Sequence, residues 1–137
     1  MDIEQRKRDF QAHHKHPVNI LFHIVCGILY ISLFFTLFPQ PVYYIYALVV
    51  CILFPSIPVT IVIALMIPLL RYLGSYKLSP IYTLCGINIA YFLPELSHYM
   101  TREDTVLKIN TVTTVDIIDN FFFLLPHSIL ASTKASY

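Results

Sequence analysis

HPVNILFHIVCGILYISLFFTLFPQPVYYIYALVVCILFPSIPVTIVIALMIPLL, residues 16–70, contains no Asp, Glu, Lys or Arg. No single core element of a soluble fold runs that far without a charge. The chain has 137 residues, 57% of them hydrophobic and only 12% charged. So short a chain cannot bury that much apolar surface in its own interior. A lipid bilayer accepts the surface directly, and in hydrocarbon the backbone must satisfy its own polar groups, which points to helices.

Prolines divide the run. Pro17 fits the first position of a helix capped by His16, because that position needs no amide donor. Residues 18–38 then form a first span, ended by Pro39 and Pro41, whose 21 residues suit the roughly 20 that a crossing needs. Residues 42–70 are too many for one crossing and few for two, with Pro55 and Pro58 in the middle. They read either as one kinked helix or as a hairpin of two short spans, 42–54 and 57–70. Residues 78–94 follow between Lys77 and Glu95, and 95–108 are polar.

The last apolar run, 121–131, is too short to cross alone, and extending it back to 114 brings in Asp116 and Asp119. Residues 114–131 are therefore expected to form an interfacial or packed helix. With no internal repeat, no low-complexity linker and three Gly in all, residues 1–137 read as one membrane domain.

Residues 1–15 form a polar segment predicted to be helical, with Ile3, Phe10 and His14 on one face. The apolar run after it is too long for a signal-peptide core, so an uncleaved first span is expected. Arg6, Lys7, Arg8 and Lys15 place this flank in the cytosol by the positive-inside rule. A single crossing within 42–70 would put Arg71 and Lys77 on the cytosolic side too; two crossings would return Arg102 and Lys108 there instead. Charge counting leans slightly to the first. The net charge of +1 gives no footprint for nucleic acid. Cys26, Cys51 and Cys85 each lie in an apolar run and form neither a disulfide framework nor a metal-binding pair.

Histidine is the informative polar residue. His13, His14, His16 and His23 gather at the start of the first span, and His98 and His127 sit beside the last two apolar regions. On a helix His16, Asn19 and His23 share a face, and His23 lies about 10 Å beyond His16. A polar group at that depth is either a functional residue or interhelical glue. His98 shares a face with Glu95 and Arg102 if the helix continues, and Glu103 is close in sequence. Imidazoles with a carboxylate suit a non-haem Fe(II) site with open positions, although no HExxH or HxxxH pair is present.

Residues 10–27, FQAHHKHPVNILFHIVCG, resemble the N-terminal signature of the Mpo1-like family, formerly a domain of unknown function. Phe10, His14, Pro17, Asn19, His23 and Gly27 fall on its positions, with Phe10 where Tyr is more usual. The family's second signature is a Gly-His pair near the end of the last long span, followed by Glu and later Pro. Here Ser97 precedes His98, Glu103 comes one residue later, and the Pro is absent. About half the chain carries the resemblance, as a divergent member would.

The resemblance implies an Fe(II)-dependent dioxygenase of the endoplasmic reticulum that shortens 2-hydroxy fatty acids by one carbon in alpha-oxidation. It implies iron held by His14, His23 and His98, with His127 or Glu103 as a further ligand or neighbour. Asn19 would orient a ligand or the substrate carboxylate. The partners are the bilayer, a fatty acyl substrate and dioxygen. It also demands an even number of crossings between the two histidine groups. The expected fold is then an all-α polytopic transmembrane bundle of about four spans plus an interfacial C-terminal helix. Two other classes compete: a non-catalytic membrane protein binding partners or lipid through its helix faces, and a carrier driven by histidine protonation.

Overall fold

The computed structural model describes residues 3–103 and 114–134. They form six helices and, among the described residues, no strand: α1 (Ile3–His13), α2 (Pro17–Thr36), α3 (Gln40–Leu53), α4 (Ile57–Ser75), α5 (Pro80–Thr101) and α6 (Thr114–Lys134). The all-α expectation holds. Residues 104–113, with Lys108 of the polar stretch, lie outside the described residues.

Proline sets the starts of the middle helices. Pro17 opens α2 behind His16, whose Nδ1 accepts the Val18 N–H at 3.2 Å. Pro80 opens α5 behind Ser79, whose hydroxyl accepts the Tyr82 N–H. In the 42–70 region the chain leaves the helix at Phe54 and re-enters it at Ile57, so the run is two helices rather than one with a kink.

By length and composition three helices are able to cross a membrane: Pro17–Thr36, Ile57–Ser75 and Thr114–Thr133; Gln40–Leu53 is apolar but shorter. The third overlaps residues 114–131, expected as an interfacial or packed helix, and it packs against α2 through Leu125 and Phe121. Its two aspartates are met by Arg6 of α1, which pairs with Asp116 and reaches Asp119 at 3.3 Å. Arg6 thus sets one opposite charge beside the two aspartates.

α2 is the central helix. α5 runs antiparallel to it, so that Gly86 lies against Leu33 while Ser97 and His98 reach Asn19. α6 covers another side of α2. A Cβ at Gly27 would stand 3.2 Å from Leu125 Cβ, and the Tyr30 hydroxyl donates to Phe121 O at 2.6 Å. α3 and α4 are tied by the Tyr43 hydroxyl, which donates to Ile63 O.

Polar side chains share the core with apolar ones, and many large apolar side chains are exposed. Asn19, Ser32, Thr83, Ser97, His98, His127 and Ser128 are buried, while Leu21, Ile45, Leu48, Ile52, Ile57, Leu65, Ile81 and Ile89 are exposed. Exposed isolated apolar residues are ordinary, but here they run along α2, α3, α4 and α5 while several polar groups are buried within the apolar core.

Candidate metal centre

His14 lies in the bend between α1 and α2, His23 two turns into α2, and His98 one turn before the end of α5. All three are buried. The antiparallel pairing of α2 with α5 brings the N-terminal end of one beside the C-terminal end of the other. His23 and His98 then meet with ring centroids 5.0 Å apart, and His14 closes the group at 4.4 Å from His23 and 4.6 Å from His98. One ring nitrogen from each lies within 4.8 Å of the others, a group that can hold a metal ion.

The hydrogen bonds fix two of the rings. His14 Nδ1 lies 2.7 Å from Phe10 O, and His23 Nδ1 lies 2.8 Å from Asn19 O. A carbonyl only accepts, so both Nδ1 atoms carry the proton and both neutral rings are left with a lone pair on Nε2. Those two Nε2 atoms face each other at 3.1 Å. Two lone pairs so placed repel unless a cation lies between them. For neighbouring ligands at metal–nitrogen distances of about 2.0–2.1 Å, the separation expected is roughly 3.0–3.4 Å. The spacing of these two nitrogens therefore fits a metal, and the His98 imidazole lies within reach of both.

Burial, followed by the proximity of His23, holds the His14 imidazole at a pKa of about 2 against an ordinary 6.5. It is neutral throughout the physiological range, the form that ligates metals. Phe10 stacks on its ring at 3.7 Å with planes 4° apart, completing its burial.

Asn19 supports the third ring. It has no exposed surface. Its Nδ2 donates to Glu103 Oε2 at 2.6 Å and lies 3.2 Å from His98 Nδ1, while Ser97 Oγ lies 2.5 Å from its Oδ1. Ser97 thus takes part in the network. Its hydroxyl also lies 2.6 Å from Pro94 O, and its single proton goes to one of the two oxygens.

Glu103 is positioned by the end of α5. Arg102 adopts the left-handed conformation, with φ of 57°, and the Glu103 N–H returns to His98 O at 3.1 Å. That reversal sends the carboxylate to the start of α2, where Oε1 accepts the N–H groups of Lys15 and His16 at 2.7 and 2.8 Å. These amides precede the first turn, and a carboxylate there also suits the positive end of the helix dipole. Burial raises the Glu103 pKa, but the bonds from Asn19, Lys15 and His16 outweigh it and leave the group below the ordinary carboxylate value. With three donors on its two oxygens, Glu103 clasps α5 to α2 beside the histidines.

His127 stands apart from the triad. It is buried near Phe10 and Phe54, with ring centroids at 5.8 and 5.0 Å, and among the described residues its Nδ1 has no hydrogen-bond partner. His16 is exposed in the bend, and His13, at the end of α1, is half-buried.

The sequence reading did not single out Ser97 for a role, nor Tyr91 and Asn120. Tyr91, Glu95 and His98 follow each other at helical spacing on α5 and line, with His14, His23 and Asn120, a cavity of about 20 Å³. That spacing was visible in the sequence; the partner Asn120, on another helix, was not.

Fold and site together define an all-helical chain with three helices of membrane-spanning length and apolarity and a buried three-histidine cluster. Set against known protein families, curated proteins and solved structures, the chain matches none of them.

Proposed function

We propose that this protein is an Fe(II)-dependent dioxygenase of the endoplasmic reticulum membrane that shortens 2-hydroxy fatty acids by one carbon. The observation that carries this reading is the convergence of His14, His23 and His98 with two Nε2 lone pairs facing at 3.1 Å. The two sequence blocks that resemble the 2-hydroxy fatty acid dioxygenase family supply those three residues, one block from the start of α2 and the other from the end of α5.

In this reading α2, α3, α4 and α5 cross the membrane, with the N-terminus and the site on the cytosolic side. Four passes return His98 to the face where the chain holds His14 and His23. α3 has 14 residues, or about 21 Å at 1.5 Å per residue, so it needs local thinning of the bilayer or support from its neighbours. The acyl chain lies along the apolar exterior and only the acid head reaches the histidines.

His14, His23 and His98 hold the metal. Iron, when bound, supplies the redox chemistry with dioxygen. The chain itself keeps the imidazoles neutral by burial, fixes two tautomers through backbone carbonyls, and uses Asn19 and Glu103 to hold α5 against α2. The neutrality of His14 down to acidic pH argues against a carrier driven by protonation of this cluster near pH 7. Three imidazoles also suit zinc, which would favour a non-catalytic or hydrolytic site.

Purified protein reconstituted with Fe(II) is expected to consume dioxygen when given a 2-hydroxy fatty acid and to release an acid one carbon shorter. Absence of that consumption in iron-loaded protein would refute the reading.

A further inference from the structure

Three polar groups of the cavity beside the triad stand outside the histidine network. Tyr91 and Glu95 lie two turns and one turn before His98 on the same face of α5, and Asn120 comes from α6. The cavity measures about 20 Å³, near the minimum that admits one water. It is too small for an acyl chain or a whole acid head, so a ligand's head meets this wall at the rim, where Glu95 is exposed.

Donor and acceptor roles at this wall are fixed by chemistry. Asn120 Nδ2 donates to the Tyr91 hydroxyl oxygen at 2.8 Å, so the phenol's own proton is left to point elsewhere. Glu95 is exposed at the rim and, among the described residues, has no hydrogen-bond or ion-pair partner. The wall thus offers one donor and one acceptor a single helical turn apart.

Resting on the dioxygenase reading, we infer that Tyr91 and Glu95 are the residues that select a 2-hydroxy acid over a plain fatty acid. Tyr91 donates to the ligand's carboxylate, and Glu95 accepts the proton of the adjacent hydroxyl. A plain acid offers no hydroxyl, so its carboxylate meets the Glu95 carboxylate with no hydrogen between them. Sites built to bond a substrate hydroxyl reject analogues that lack it strongly, because their own polar group is left unpaired. Glu103 cannot fill this role, since three donors already occupy it.

The test compares binding of 2-hydroxyhexadecanoic and hexadecanoic acid to full-length, Fe(II)-loaded protein without dioxygen. The wild type is expected to prefer the hydroxy acid by about tenfold or more. Glu95→Leu is expected to bring the ratio close to one with iron content unchanged, and Glu95→Gln, which keeps an acceptor, to retain most of it. Tyr91→Phe is expected to weaken both acids alike. A wild-type ratio surviving in Glu95→Leu overturns the inference while leaving the dioxygenase reading intact. Failure of the iron-loaded wild type to bind either acid overturns both. Should Glu95→Leu fail to fold, Tyr91→Phe decides: equal weakening supports the inference, and unchanged binding refutes it.

Discussion

His14 Nε2 and His23 Nε2 lie 3.1 Å apart while each ring gives its Nδ1 proton to a backbone carbonyl. The contact is unfavourable for a protein with nothing between the rings and favourable for one holding a cation. A divalent metal is therefore expected to stabilise the fold, raising Tm with the logarithm of its free concentration above Kd. Thermal unfolding with Fe(II), Zn(II) and a chelator measures this, and a Tm indifferent to all three would contradict it.

Acid should act on the same contact. The His14 pKa is lowered from 6.5 to about 2 in the folded protein, so between these values the unfolded chain binds a proton that the native one does not. Stability supplied by the neutral ring is complete above pH 6.5 and drains away as pH falls towards 2. Metal release should follow the same direction, because protons and metal compete for the nitrogens. Glu103, held below the ordinary carboxylate value, adds a loss at the acid end. Titration of the metal-free protein should show a flatter acid limb in His14→Phe.

Asn19 joins Glu103, Ser97 and the His98 ring from a fully buried position. Asn19→Leu should reduce metal affinity by about 10–100-fold, the usual effect of losing a group that orients a ligand. It should also destabilise the protein by about 1–3 kcal/mol through the unpaired groups it leaves. Competition with a chelator of known affinity reads the first effect and denaturant unfolding the second.

Glu103 separates a positioning role from a chemical one. If its carboxylate serves to hold Lys15, His16 and Asn19, Glu103→Gln keeps one acceptor oxygen and should retain more of the metal affinity than Glu103→Ala. Equal loss in both variants would point instead to a need for the negative charge.

How much of this was legible in the sequence follows from the range of each signal. Proline and hydropathy act locally, so Pro17, Pro39 and the Pro55–Pro58 break are seen where helices begin and end. The helical spacing of Asn19 and His23 was visible for the same reason. The meeting of His23 with His98 needed knowledge of which helices pair, and only the resemblance offered a reason to expect it. The pairing of Arg6 with Asp116 and Asp119, more than a hundred positions away in the chain, leaves no local trace. His127 looked equivalent to the other histidines by composition, yet it packs near Phe10 and Phe54, outside the group of three.

Gly27 belongs to the N-terminal block that carries the resemblance, and the structure gives it a packing reason: a Cβ there would stand 3.2 Å from Leu125 Cβ and 3.5 Å from its Cα. Gly27→Val should push α6 from α2 and destabilise the protein by about 1–3 kcal/mol. Adding Leu125→Ala should recover part of the loss, which a double-mutant cycle in denaturant detects.

The central claim is that His14, His23 and His98 together hold one metal ion. Elemental analysis of protein purified in detergent, loaded anaerobically with Fe(II) and desalted, tests it most directly. The account predicts about one iron per chain in the wild type and near none in His23→Ala with its helical content retained. A wild type that retains no metal, or a His23→Ala variant that retains as much, would contradict it.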